Sequence, residues 1–492
     1  MNCEKCGSNN IKRLGLRFAG KEKFLKFSCN DCSYEFTTDY VPVTKMKAQN
    51  LVVTSAVDGF AINNVFLDSL KLYCKHNKAK LIILPVNHGK PYSDTAYPLE
   101  IRDLIVDTNL SIEDKTLILG SIKLGATLES PLHGLNSLSK GKNVVFGHPQ
   151  VQLRTLPRKS EKYPAIITTT GTISLSHYGE NKTSQKANFN HSFSALFIDG
   201  KNQSRMRHLN FDGIGFYDIN GYYTDTSVSP VKNILALVTG DEHVCFYDQS
   251  ILESVYGKTG IVATLKPKYI IRHDVLDCYA ISHHHRNNVL TRYTKFRTNR
   301  DDIEKELNQT IDFINKTTPA DSISLIISSN HNSHLLRWLN EADPKLDLVN
   351  SKIYHKLMYQ LLEEIDGNVS KDNSTHFTDP FKLYAQERLK ENIKFLSPSE
   401  SFELNGVDLN NHGDLGVNGS RGSSLQYKDL PLKSIIGHSH SPNINKGCYQ
   451  VGTSSILRLE YNKGLSSWDS AHCILYPNGK RQMIFIRDGK WK

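Results

Sequence analysis

The chain has 492 residues, of which 39% are hydrophobic and 22% are charged, and its formal net charge is +10. Because one domain usually holds about 100–200 residues, we expect two or three domains. No stretch approaches the roughly 18 apolar residues of a membrane span, and the first residues lack the apolar run of a secretory signal. The sequence therefore predicts a cytoplasmic protein without a membrane partner, and its positive charge favours a polyanionic one.

Two CxxC pairs lie near the start of the chain, Cys3 with Cys6 and Cys29 with Cys32. Four thiolates in two such knuckles can surround one tetrahedral zinc ion. The stretch between the pairs is rich in strand-forming residues and contains glycines for turns. Residues 1–45 are therefore predicted to form a zinc β-ribbon that holds one structural Zn²⁺.

The predicted ribbon also carries basic side chains that can neutralise phosphates without reading a base sequence. It resembles the ribbons at the start of transposase-like and other DNA-binding proteins. One alternative is that the metal only stabilises the fold of the ribbon, because a segment of about 40 residues is barely stable without one. The other is that the ribbon docks a partner protein. The basic residues are Arg13, Arg17, Lys21, Lys23 and Lys26.

Residues 46–230 are predicted to form an α/β or α+β accessory domain. A helix is expected over residues 61–74, between apolar strands at residues 51–53 and 81–84, and turn residues separate the later strands. The histidines here are scattered, and Arg154 is one of several basic residues that either line a nucleic-acid path or form a solvated face. We expect a role in DNA positioning or in oligomer contacts. The later strands are predicted at residues 116–119, 143–146, 165–169 and 194–198.

Beyond residue 230, polar clusters follow apolar strands or lie in loops. Ligands at alternate positions of an extended strand end can converge on one ion. Strands predicted at residues 234–238, 269–271, 323–327 and 434–436 precede four of these clusters. In chain order the clusters contain Asp241 and His243, then Asp274 and Asp277, then Asn330 and His331, then His412 in a loop, and finally His438 and His440.

This order resembles that of the calcineurin-like metallophosphoesterases, whose motifs are Asp-x-His, Gly-Asp-x-x-Asp, Gly-Asn-His-Asp or Gly-Asn-His-Glu, a lone His, and Gly-His-x-His. The resemblance covers roughly the last 260 residues. It implies that residues 231–492 form a β-sandwich flanked by helices, completed by strands at residues 450–452, 456–461, 473–476 and 483–486.

The resemblance also implies two divalent cations that share Asp274. Manganese is the first expectation, with iron and zinc as alternatives. His331 is the implied catalytic residue that faces the scissile phosphate, and Asp277 is implied to orient it or to support the site. The implied ligands are Asp241, His243, Asp274 and His440 for one ion and Asp274, Asn330, His412 and His438 for the other.

The chain departs from the family pattern at two positions, since His273 replaces a glycine and Asn332 replaces the last acid of its motif. No assigned ligand is missing. His284 and Arg286, just after the second motif, and Arg421, in a glycine-rich loop, are expected to contact substrate phosphates. For His284 and Arg286 the alternative is a loop that only packs beside the site. For Arg421 it is a loop that only forms turns.

The leading functional prediction is a DNA nuclease that hydrolyses phosphodiester bonds with two metal ions. The architecture resembles phage-encoded early DNases of the T5 type, distant relatives of the SbcD-type repair nucleases. This implies DNA as partner and the host cytoplasm as location, and it leaves a homo-oligomer open. The alternatives are a protein or small-molecule phosphatase and a non-catalytic DNA-binding or scaffold protein.

Overall fold

The computed structural model describes residues 3–19, 22–38, 43–88, 96–159, 162–369, 379–459 and 462–492. In this part of the chain, helices combine with five β-sheets, so the predicted mixed α/β class is confirmed. None of its helices is long and apolar enough to cross a membrane. The helices are Asn64–His76, Leu99–Arg102, Lys182–Phe189, Gln249–Tyr256, Ile261–Leu265, Val289–Arg297, Ile303–Thr317, Asn330–Glu341, Ser351–Val369, Pro380–Ala385 and Ser424–Tyr427.

The N-terminal segment forms a three-stranded antiparallel sheet, as predicted for a ribbon. Its strands are Ile11–Ala19, Glu22–Cys29 and Glu35–Thr38. Its small core contains Phe27 and Phe36, whose ring centroids are 5.7 Å apart, together with two of the cysteines.

A six-stranded sheet carries most of the predicted polar clusters. Its first four strands are parallel and its last two are antiparallel, so the carboxyl ends of the parallel strands meet at one edge. Across the sheet the order is Ile393–Leu396, Ile323–Ile327, Tyr269–Arg272, Ala236–Val238, Ala471–Leu475 and Arg481–Phe485.

An eleven-stranded sheet joins strands from both sides of the boundary predicted near residue 230. Gln152–Leu156 pairs with Asn443–Asn445, so the sheet runs across that boundary. Its order is Glu403–Leu404, Val407–Asp408, Lys433–Ile436, Cys448–Gln450, Asn443–Asn445, Gln152–Leu156, Ala165–Thr169, Asn143–Phe146, Thr116–Leu119, Asn109–Ile112 and Val43–Met46.

One hydrophobic core lies between these two large sheets. Val238 and Ile271 of the six-stranded sheet belong to the same buried cluster as Leu153, Ile166 and Ile435 of the eleven-stranded sheet. Since burial of apolar surface is the main driving force of folding, residues 46–230 and 231–492 stabilise each other through this core.

Two smaller sheets complete the fold. The strands of a four-stranded sheet, in order, are Met206–Asn210, Ser194–Ile198, Asn50–Val57 and Ala79–Val86. Helix Asn64–His76 packs against it. A three-stranded sheet contains Gly215–Asp218, Gly221–Thr224 and Val228–Pro230.

Most predicted strands in the accessory segment have the observed bounds, and the predicted helix starts later than expected. It begins at Asn64 because the Asn63 side chain caps it, accepting a hydrogen bond from the Phe66 backbone N–H at 3.0 Å. The predicted strand at residues 456–461 is wrong for residues 456–459, and residues 460 and 461 lie outside the described part. Asn462 bonds the backbone of Leu457 and Leu459 there, and such local bonds compete with strand pairing.

Candidate metal centre

Three strand ends bring together the first predicted ligand set. Asp241 and His243 follow Ala236–Val238, Asp274 follows Tyr269–Arg272, and His440 follows Lys433–Ile436. All four side chains are buried, and their ligand atoms lie within 4.8 Å of one another. The His440 Nε2 atom is 3.0 Å from His243 Nε2 and 3.0 Å from Asp241 Oδ2. Donor atoms that share one ion, with bonds of about 2.1 Å, are separated by about 3 Å.

Two carboxylate oxygens of this set lack hydrogen-bond partners. Asp241 Oδ1 and Asp274 Oδ1 are buried and make no hydrogen bond. Burying polar atoms in this way is costly unless another partner satisfies them. A cation is such a partner, and mixed nitrogen and oxygen donors suit manganese, iron or zinc. The residues therefore fit the predicted metal site.

The second predicted set also includes residues that lie close to one another. His412 Nε2 is 3.1 Å from Asp274 Oδ2, and His438 Nδ1 is 3.1 Å from Asn330 Oδ1. The rings of His412 and His438 have centroids 5.3 Å apart. His243 Nε2 lies 3.8 Å from the same Asp274 oxygen. The structure thus gathers Asp241, His243, His412 and His440 around the Asp274 carboxylate, and it places the linked pair Asn330 and His438 beside His412.

Burial and mutual charge set the protonation of this cluster. Burial raises the pKa of Asp274, but His412 and its other imidazole neighbours lower it more, and the result is well below the usual range. Burial lowers the pKa of His412, and Asp274 raises it, to about 9. Burial also lowers the pKa of His243, and Asp277 raises it, to about 9. A metal ion must therefore displace protons from these imidazoles when it binds.

Four of the seven ligands have left-handed backbone conformations. The φ angles are 39° at His243, 43° at Asp274, 73° at His438 and 57° at His440. Such a conformation costs a residue with a side chain roughly 1–2 kcal/mol. Strain of this kind persists where the surrounding structure enforces it, and it concentrates at functional sites.

Gly437, the glycine of the last motif, packs directly against a ligand. A Cβ at this position would lie 2.3 Å from Asp241 Oδ1 and 3.1 Å from the His273 ring. The absence of a side chain therefore lets the His438 loop approach the Asp241 carboxylate.

Replacing Gly437 with alanine is expected to weaken Mn²⁺ binding about 10-fold or more, because the new methyl group displaces the Asp241 carboxylate. Titration of the metal-free protein with Mn²⁺, followed by electron paramagnetic resonance, measures the change. Gly367→Ala is the matched control, since a Cβ there meets nothing within 4 Å. Equal affinities of the two variants would contradict the expectation.

His331 and Asp277 contact each other through the main chain of Asp277. His331 Nδ1 is 2.8 Å from the main-chain carbonyl oxygen of Asp277, to which it donates. This bond turns Nε2 toward the centre, 4.0 Å from Asp274 Oδ2. The Asp277 carboxylate instead contacts Nδ1 of the ligand His243 at 2.9 Å. Asp277 thus orients His331 through its backbone and a candidate ligand through its side chain.

A buried ion pair that the sequence reasoning missed connects the first two strand ends. Arg272 and Glu242 are fully buried, and Arg272 Nη1 lies 3.0 Å from both Glu242 carboxylate oxygens. Glu242 also accepts from the Tyr256 hydroxyl at 2.5 Å. Because side chains alternate along a strand, Glu242 points away from its neighbours in the ligand set. The signal for this pair in the sequence was Arg272, a charged residue directly after the apolar run 269–271.

The two departures from the family pattern have structural partners. His273 is fully buried, and burial lowers its pKa to about 4. Its Nδ1 atom lies 3.3 Å from His412 Nδ1. The Asn332 amide donates to the carboxylate of Asp379, which caps helix Pro380–Ala385. In this chain Asn332, which replaces the last acid of the motif, therefore holds the residue that caps helix Pro380–Ala385.

The predicted substrate contacts separate into two places. Arg286 Nη1 pairs with Glu341 at 3.4 Å, at the far end of helix Asn330–Glu341. His284 lies in the same turn as Arg286, and its ring is tilted against that of His283, with ring centroids 3.9 Å apart. Arg421, by contrast, lines a large cleft together with the candidate ligand His438.

The ribbon brings its four cysteines together. The sulfur atoms of Cys3 and Cys32 are 3.6 Å apart, those of Cys6 and Cys29 are 3.5 Å apart, and all four lie within 4.8 Å. Sulfurs bonded to one zinc ion at about 2.3 Å are separated by about 3.8 Å, so the set fits zinc. Lys26 pairs with Glu35. The side chains of Arg13, Arg17, Lys21 and Lys23 lie outside the described part.

Replacing Cys29 with serine is expected to abolish zinc binding and to unfold the ribbon, whose core is too small to hold without a metal. The zinc content measured by elemental analysis should fall by one ion per chain, and proteolysis should remove the unfolded ribbon. Cys74→Ser is the control, because Cys74 lies outside the ribbon and packs against the four-stranded sheet. Zinc retained in the Cys29 variant would refute the site.

Comparison with known proteins finds a phage relative. Protein A1 of Escherichia phage T5 is 28% identical over 466 residues, which cover 90% of this chain and 83% of that protein. The chain is therefore related to a phage protein. No family model matches the chain. No solved structure matches it either.

Proposed function

We propose that this protein is a phage-encoded, metal-dependent DNA nuclease of the calcineurin-like metallophosphoesterase type. The observation that carries the proposal is the gathering of the buried donor side chains Asp241, His243, His412 and His440 around the buried Asp274, with the half-buried pair Asn330 and His438 beside His412. Nitrogen and oxygen donors arranged around one shared carboxylate are typical of two-metal phosphoesterases.

Two divalent cations held by the two ligand sets would supply Lewis acidity toward a phosphodiester and the water that attacks it. Asp274 contributes its carboxylate to both sets. His331, held through Nδ1 by the Asp277 carbonyl, presents Nε2 to the centre and can donate a proton there to the leaving oxygen. The Arg272–Glu242 pair fixes the two strand ends against each other.

Three features favour DNA over other phosphoesters. The net charge of +10 suits a polyanion. The zinc ribbon is a unit that DNA-binding proteins use. The relative from phage T5 also supports a phage-encoded protein, for which degradation of host DNA in the host cytoplasm is the proposed role.

The test is a substrate panel with the purified protein and Mn²⁺. Plasmid, linear duplex, single-stranded DNA and p-nitrophenyl phosphate are incubated in parallel. Nicked or shortened DNA supports the nuclease. Turnover of the small ester alone indicates a phosphatase, and DNA retention without products indicates a binding protein. Either of these two results refutes the proposal.

A further inference from the structure

A large cleft opens next to the candidate metal centre. Its volume is about 970 Å³, and its lining includes His438 and Gly413, the neighbour of His412. This volume is at the upper end of the roughly 300–1,000 Å³ of ligand pockets. The cleft therefore accommodates a ligand that extends well beyond one phosphate group.

The floor of the cleft is a polar face made by two strands from distant parts of the chain. Gln152–Leu156 and Asn443–Asn445 pair antiparallel, with Arg154 opposite Asn443 and Gln152 opposite Asn445. Because side chains alternate along strands, these four point to one face, while Leu153 and Ile444 point into the core. The accessory segment thus supplies half of this floor.

Two polar atoms on this floor lack partners. Arg154 Nε and Asn443 Oδ1 are buried and make no hydrogen bond. The Arg154 guanidinium is held in place by a bond from Nη2 to the carbonyl oxygen of Leu132. The Arg154 guanidinium therefore has a fixed position in the lining of the cleft, and two buried polar atoms of that lining have no hydrogen-bond partner in the protein.

The charge of the lining favours an anion. Arg154 and Arg421 both line the cleft, and no Asp or Glu is among the described residues that do so. Arginines bind phosphates, whereas the Asn and Gln amides match the hydrogen-bonding edges of bases. A ligand with alternating phosphates and bases fits both kinds of group.

We infer that this cleft binds the DNA strand next to the scissile phosphate, with Arg154 and Arg421 contacting its phosphates. The inference rests on the proposed function for the chemistry at the metal centre. It assigns substrate positioning to residues 46–230, through the strand that contains Arg154.

The test measures binding without cleavage. Fluorescence anisotropy of the full-length protein in Ca²⁺ is recorded with labelled single strands, from a dinucleotide to an octanucleotide, over a range of salt concentrations. Affinity should rise with length. Arg154→Met should weaken octanucleotide binding about 10-fold and reduce the slope of log K against log salt by about 0.7, the value for one lost phosphate contact on a single strand.

Arg388→Met is the matched control, since Arg388 is exposed and precedes the amino end of strand Ile393–Leu396, opposite the metal centre. If Arg154→Met does not fold, the exposed Arg421 is replaced instead, with the same expectation. Three results overturn the inference: an unchanged slope, equal affinity for all lengths, or equal binding of polyglutamate. Strand binding of this kind without hydrolysis of any DNA would refute the nuclease and leave the cleft assignment intact.

Discussion

Asp274→Asn is expected to lower the rate of DNA hydrolysis in Mn²⁺ by about 10³-fold or more. Asp274 is the carboxylate that both ligand sets share, with His412 Nε2 at 3.1 Å and His243 Nε2 at 3.8 Å from its Oδ2. Asparagine keeps the shape but removes the negative charge that both cations require. The side chain is buried, so water cannot easily take its place.

Initial rates on linear duplex DNA measure this loss, and elemental analysis should show less bound manganese per chain. Asp321→Asn is the control. Asp321 is exposed and precedes the amino end of strand Ile323–Ile327, whose carboxyl end carries Asn330. Wild-type activity in the Asp274 variant would show that the site has been assigned to the wrong residues.

Arg272→Met is expected to lower the free energy of unfolding by about 3–5 kcal/mol. The substitution leaves the Glu242 carboxylate in the interior without its cation, and it also removes the bonds from Arg272 to Thr317 at 2.9 Å and to Ser324 at 3.1 Å. The penalty comes mainly from the uncompensated charge, because methionine fills much of the space of the arginine.

Urea unfolding of the metal-free protein measures this penalty. The double variant Glu242→Leu, Arg272→Met should recover most of the loss, since it removes both charges. Arg337→Met is the control: its ion pair with Glu341, at 2.8 Å, is exposed and should contribute less than about 1 kcal/mol. Equal effects of Arg272→Met and the control would rule out a stabilising role for the pair.

The candidate centre was predictable because its signals are local. Each cluster follows an apolar run or lies in a loop, and the order of the clusters resembles the motif order of the calcineurin-like metallophosphoesterases, so Asp241, Asp274 and Asn330 were expected together. Asp277 was expected to orient His331 or to support the site, without the contacting atoms being specified, and Glu242 was given no role. Their roles depend on which atom of each residue faces a neighbour from another strand, and strand periodicity alone does not contain that information.

The pairing of distant strands could not be predicted from the sequence either. Gln152–Leu156 lies beside Asn443–Asn445, almost 300 residues further along the chain. Local propensity indicates that each forms a strand, but the choice of neighbour depends on packing across the whole core. For the same reason Arg154 was placed in an accessory domain of open role, although it lines the cleft beside His438.

The continuous eleven-stranded sheet limits how the protein can be divided. A fragment that starts at residue 231 would leave one edge of Asn443–Asn445 bare, and unpaired edges of this kind promote aggregation. Residues 46–492 are therefore expected to fold only as one unit, because a cut near residue 230 would separate strands that pair with each other.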